Sequence, residues 1–219
     1  MSMPNQQIKY GADIVFCIDS SGSMADVIDA IRESSLVFHQ QLTDALEEEG
    51  KYIDQIRIRF IAFGGYNDPP VFKISPFYSL PLQSDEMNEF VHEMDFMGFD
   101  EEAGLDALAI AFQSDWDHSM TKQRHVIMFY TDEPPHPLGN GTAPGVDLPI
   151  PKSLEELKAL WDSMDKSAKR LVLVTTDDDP WPQIASWNNT VWKRLKGGGQ
   201  QSDVRNMSGI MRLLVNSIQ

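Results

Sequence analysis

The chain has 219 residues, enough to bury one substantial core, and its 42% hydrophobic and 23% charged residues disfavour disorder or a fibrous repeat. With 33 acids against 18 bases the net charge is -15, which argues against nucleic-acid binding, because that requires Lys and Arg to neutralise phosphates. No 18-residue apolar run occurs and the opening M-S-M-P-N-Q-Q carries no apolar leader, so neither a membrane span nor a signal peptide is expected.

In chain order, residues Asp13 to Met24 read D-I-V-F-C-I-D-S-S-G-S-M. The unbroken apolar run Ile14 to Ile18 predicts a central strand buried on both faces. Cys17, the sole cysteine, lies inside it and cannot pair within the chain, which fits a reducing, cytoplasmic compartment. Asp19, Ser21 and Ser23 follow at i, i+2 and i+4, and Gly22 lets the backbone turn tightly between the hydroxyls. This turn sits where a strand passes into a helix, the usual ligand crevice of an open α/β sheet. One carboxylate and two hydroxyls are hard oxygen donors suited to Mg²⁺ or Mn²⁺, and so little charge leaves such an ion open to a carboxylate from outside. The structural alternative is a Ser-rich turn that caps a helix, with Ser23 as the N-cap.

Val27, Ile31, Phe38 and Leu42 fall at helical spacing and predict one amphipathic helix over Met24 to Leu46. Ile53 to Phe63 reads as a strand, and Val71 to Tyr78 as an antiparallel partner joined by a short turn. Ser84 opens a short helix to about Met94, and Asp95 to Gly98 then leads to Asp100. A second helix carries Leu105, Leu108 and Phe112 among small alanines that allow close approach to a sheet; Asp106 on its first turn reads as a helix cap, the alternatives being that it faces solvent or the metal loop. Val126 to Tyr130 is a second fully buried strand, ending at Asp132.

Residues 133–152 hold six prolines and three glycines and read as a non-repetitive loop, placed either to contact a partner or to form a surface excursion. Beyond it come a helix from Ser153 with Leu157 and Trp161 on its apolar stripe, a strand from Leu171 to Thr175, and the acidic run Asp177 to Asp179. That run invites a second-metal reading, against the commoner solvated turn and helix cap. A helix over Pro182 to Leu195, a short edge strand over Gln200 to Val204 and a closing helix over Met207 to Ile218 complete the pattern. Strands alternating with helices predict an α/β, Rossmann-like three-layer sandwich: a mostly parallel sheet with one antiparallel edge strand and helices on both faces. One domain is expected over residues 1–219, with its core in about 12–215.

D-S-S-G-S-M resembles the D-x-S-x-S signature of the von Willebrand factor A domain family, whose metal ion-dependent adhesion site draws on three loops. The second loop of one branch reads G-x-D-x-P-E; here it is Gly98-Phe99-Asp100-Glu101-Glu102-Ala103, without the Pro-Glu pair. The third is an Asp after an apolar strand, often continued as D-x-P-x-H, and Asp132-Glu133-Pro134-Pro135-His136 matches it. The resemblance implies a site of Asp19, Ser21, Ser23, Asp100 and Asp132 holding Mg²⁺, with Mn²⁺ or Ca²⁺ also compatible. Asp95 and Glu102 are near enough in sequence to replace Asp100, and His136 can orient Asp132 through a hydrogen bond.

The expected function is therefore a non-enzymatic adaptor that binds a protein partner's carboxylate through the ion, the partner belonging to a system such as an ATPase, kinase, phosphatase or protease. The alternative is a Mg²⁺-dependent phosphohydrolase using Asp19 with Asp177 to Asp179. Against catalysis, Ser21 stands where a D-x-D phosphatase has its general acid. No G-x-S-x-G elbow or phosphate-binding G-x-x-x-x-G-K-[ST] loop occurs, and the five histidines are not at zinc spacing.

Overall fold

The computed structural model describes residues 8–67, 69–94, 102–139, 141–195 and 202–218. Its strands are β1 (Tyr10–Asp19), β2 (Gln55–Phe63), β3 (Phe72–Ile74), β4 (Tyr78–Leu80), β5 (Lys122–Tyr130), β6 (Lys169–Thr175) and β7 (Thr190–Arg194). They form one sheet in the order β3-β2-β1-β5-β6-β7, with β4 also paired to β2. Strands β2, β1, β5, β6 and β7 run parallel, and β3 and β4 lie antiparallel on the β2 edge. The expected antiparallel edge is laid down in two pieces because Ser75 turns inward. Its hydroxyl takes the Phe60 amide at 2.8 Å, and Pro76 follows without an amide to continue the ladder.

The helices are α1 (Ala25–Ser34), α2 (Phe38–Glu48), α3 (Ser84–His92), α4 (Gly104–Phe112), α5 (Leu154–Ser163), α6 (Trp181–Ala185), α7 (Ser202–Arg205) and α8 (Met207–Ser217). Period-two alternation along β1 splits its side chains between two cores. Ile14, Phe16 and Ile18 join α1, α2, α3 and α8 on one face, while Val15 and Cys17 join α4, α5 and α6 on the other. Every residue of α4 is buried, as expected of a helix apolar on all sides. Gly104 explains how closely it sits: a Cβ there would lie 3.2 Å from both the Phe129 ring and the Trp181 ring.

Four expectations change. The helix predicted over Met24 to Leu46 is two helices, because the Ser35 hydroxyl turns back to the Arg32 carbonyl at 2.9 Å and also meets Asn88 of α3 at 2.5 Å. The helix predicted over Pro182 to Leu195 stops after α6, and Asn189 takes a left-handed φ of 57°. Thr190, Val191 and Trp192, all strand formers, then pair parallel to β6. Of the edge strand expected over Gln200 to Val204, the described part, from Ser202, is helix α7. Among the described residues the loop 133–152 is not a free surface excursion: Ala143 and Ile150 are buried in the α4 core, with Leu138, Val146 and Leu148 packed against it. Among the described residues no helix is long and apolar enough to cross a membrane.

Candidate metal centre

The parallel register sets Ile18 of β1 beside Tyr130 of β5. Since β1 has β2 on one side and β5 on the other, the chain leaves these strands in opposite directions, and their carboxyl ends open a crevice at the reversal of strand order. Asp19, the last residue of β1, therefore meets Thr131 and Asp132, the first residues beyond β5.

Asp19 is fully buried and serves as the floor. One carboxylate oxygen accepts the Ser21 amide at 2.7 Å, and the other accepts the Thr131 hydroxyl at 2.7 Å. Burial pushes its carboxyl up to about 6 despite these bonds, and the nearby Asp132 charge adds to the rise. Ser20 turns the other way: its amide and hydroxyl both donate to the Phe63 carbonyl, at 2.9 and 2.8 Å, tying the turn to the end of β2. Ser21 and Ser23 are left facing the crevice.

The two hydroxyls lie 2.9 Å apart, and Ser23 donates onward to an Asp132 oxygen at 2.7 Å. Neither makes a capping hydrogen bond: the turn Gly22–Met24 is a single 3₁₀ turn, and α1 begins at Ala25 with Met24 as its N-cap. The helix-cap alternative for this motif is not realised. Adjacent oxygens around an octahedral Mg²⁺, bound at about 2.1 Å, are about 3.0 Å apart. The observed 2.9 and 2.7 Å steps are ordinary hydrogen-bond lengths that come near that spacing, and it is the donor set, all hard oxygens, that fits such an ion.

The structure thus brings together Asp19, Ser21, Ser23 and Asp132. Asp100, the fifth expected ligand, and Asp95 lie outside the described residues. Glu102 is 1% exposed, and its backbone bridges Gly65 of the loop after β2 and Pro135 of the loop after β5. Asp106 is not a helix cap; it is buried and accepts the Tyr66 hydroxyl at 2.7 Å. Burial raises the pKa of both groups. His136 does not orient Asp132: its ring packs against Tyr66 at 4.8 Å and its Nδ1 lies 2.9 Å from the Pro137 carbonyl. Asp177 pairs with Arg194, Asp178 accepts the Thr176 hydroxyl at 2.7 Å, and the Asp178 carbonyl receives the Trp181 amide at the start of α6. The acidic run is thus a turn before α6, whose N-cap is Pro180 with no side-chain cap hydrogen bond.

Two contributors were missed by sequence reasoning. Thr131 fixes Asp19, and its place between an apolar strand and an acid was a usable signal. Arg205, at the end of α7, donates to the Ser23 carbonyl and to the second Asp132 oxygen, both at 2.9 Å. Nothing local in the sequence marks it, because its partners lie 182 and 73 residues away. Partial burial holds the Glu133 carboxyl above its ordinary range, and the charges of Asp132 and Asp178 add to this.

The described elements define an open, mostly parallel α/β sheet protein with helices on both faces. The sequence matches no protein-family model and no curated protein. Among solved structures the fold is similar to the pilus adhesin SpaC from Lactobacillus rhamnosus GG, with a TM-score of 0.60 at 15% identity over 97% of this chain. The chain spans 31% of that adhesin's length. The open conformation of the same adhesin aligns with a TM-score of 0.56 at 16% identity, over 97% of this chain and 30% of that one. Proximal thread matrix protein 1 from the mussel byssus aligns with a TM-score of 0.48 at 15% identity, over 96% and 47% of the two chains.

Proposed function

We propose that this protein is a non-enzymatic, metal-dependent protein-binding module of the von Willebrand factor A type, acting as an adaptor. The observation that carries the reading is the run of oxygens from Ser21 through Ser23 to Asp132, drawn from two loops and spaced at 2.9 and 2.7 Å over the buried Asp19. When bound, a Mg²⁺-type ion would supply an electrophilic centre for a partner's carboxylate. The chain's own residues do the rest. Ser21 and Ser23 offer neutral donors, Asp19 holds the turn through the Ser21 amide, and Thr131 fixes the floor. Asp100 is proposed as the remaining ligand on the family resemblance alone.

An adhesin among the similar structures accords with binding rather than catalysis. No observation favours the phosphohydrolase reading, since Asp177 and Asp178 are engaged by Arg194 and Thr176. Cys17, buried as a free thiol, accords with a cytoplasmic location. The test is capture of partners from native lysate on the immobilised protein, in Mg²⁺ and in EDTA, with wild type and Ser21→Ala/Ser23→Ala. Bands present only for wild type in Mg²⁺ are expected; identical recovery in every lane would contradict the reading.

A further inference from the structure

Arg205 stands in an unusual place for a cation. It is the last residue of α7, its side chain is 13% exposed, and it reaches the two loops that carry the candidate metal donors. One guanidinium nitrogen holds the Ser23 carbonyl at 2.9 Å, and the other makes an ion pair with Asp132 at the same distance. Asp132 is therefore divided: one oxygen accepts the Ser23 hydroxyl, and the other faces a fixed positive charge.

We propose that Arg205 is the internal counter-cation of this site, a positioning residue that sets how strongly the site holds a divalent ion. The inference rests on the metal-binding reading above. The guanidinium joins the two loops, which preserves the donor geometry, and its charge offsets that of Asp132, which lowers the attraction for a divalent cation. The two effects have opposite signs for metal affinity. The charge effect prevails because the loops are held independently, by Ser23 to Asp132 directly and by Thr131 to Asp19. The consequence is a site that binds its ion loosely and leaves it electron-poor, and so receptive to a carboxylate from a partner.

The experiment is calorimetric titration of MgCl₂ into the full chain as wild type, Arg205→Gln and Arg205→Lys, with thermal unfolding to establish that each is folded. Removing one charge near a divalent ion, screened as in water, is worth about tenfold. Arg205→Gln should therefore bind Mg²⁺ about tenfold more tightly, while Arg205→Lys, which keeps the charge but loses the planar fork, should stay within about twofold of wild type. Binding by Arg205→Gln where wild type shows none would support the proposal further. Equal or weaker binding by Arg205→Gln would overturn it and leave the metal site standing. Tightening in both variants would also overturn it, since charge would not then be the cause. Absence of Mg²⁺ binding in all three would overturn both the proposal and the metal-binding reading.

Discussion

Ser23 donates its hydroxyl hydrogen to Asp132 at 2.7 Å, joining residues 109 positions apart in the chain. Neither is held there by a helix cap or by sheet pairing; the two meet because β1 and β5 are neighbours in register and both loops turn into the same crevice. A side chain so placed contributes little to the core, since Ser23 is exposed, and its cost and use both lie in the site.

Ser23→Ala should accordingly separate binding from stability. Losing an exposed hydroxyl is worth about 0.5 kcal/mol or less in folding, yet it removes one of the aligned donors. Urea unfolding is expected to move little, while Mg²⁺ affinity measured by calorimetry falls at least about tenfold.

Asp19→Asn should stabilise the metal-free protein at pH 7.5. The folded carboxyl titrates at about 6, against an ordinary 3.8, chiefly because it is buried. The folded state therefore binds the proton more tightly than the unfolded one, and stability falls as pH rises from 3.8 to about 6. Asn can keep the Ser21 amide bond and donate to Thr131 instead of accepting from it. The expected gain is on the order of 1 kcal/mol at pH 7.5, vanishing near pH 4 and accompanied by loss of Mg²⁺ binding. A stability difference that does not change between these pH values would count against this account of Asp19.

Asp13→Ala should be among the most damaging single changes, and should act far from the metal. Asp13 is fully buried at the opposite end of β1 and takes two hydrogen bonds from Arg57, at 2.8 and 2.6 Å, plus the Asp117 amide at 2.7 Å. These bonds, with burial opposing them, hold the Arg57 pKa above its ordinary value. Removing the carboxylate strands a partly buried guanidinium, at a cost of about 3 kcal/mol or more by denaturant unfolding. Mg²⁺ binding by the folded fraction should be unchanged.

His125 should impose an acid limit on stability. It is 1% exposed, stacks on Trp116 at 4.9 Å and places its Nε2 2.9 Å from the Asp117 carbonyl. Burial depresses its pKa below 6.5, with His118 adding to the fall and the Asp117 carbonyl, Asp13 and Asp165 opposing it. Below pH 6.5 the unfolded chain takes up a proton that the folded one refuses, so stability drops as the pH is lowered through that value. His125→Gln should remove this component, on the order of 1 kcal/mol, from the difference between pH 7.5 and pH 5.5.

What was readable in the sequence was what is contiguous. The apolar runs Ile14 to Ile18 and Val126 to Tyr130 read as buried strands, and both are central strands of the sheet. The pairing of Asp19 with Asp132 came from the family resemblance, which those strand ends accommodate. Misreadings arose where two periods fit the same residues. Ile184, Trp187 and Val191 obey helical spacing, yet Val191 is 47% exposed on an edge strand, and the left-handed turn that separates them is signalled only by the Asn188-Asn189 pair. The Pro/Gly-rich loop hid its role because its buried hydrophobic residues Ala143 and Ile150 are separated by six positions in an irregular backbone, and the buried Pro135 and Pro151 carry no periodicity. Arg205 was invisible because its relation to Ser23 and Asp132 exists only in three dimensions.

The most direct test of the central claim is anomalous diffraction from crystals grown with MnCl₂. A peak bounded by the Ser21 hydroxyl, the Ser23 hydroxyl and the Asp132 carboxylate is predicted, and it should vanish in Ser21→Ala/Ser23→Ala. Manganese bound elsewhere with this crevice empty, or a peak that persists in the double variant, would contradict it.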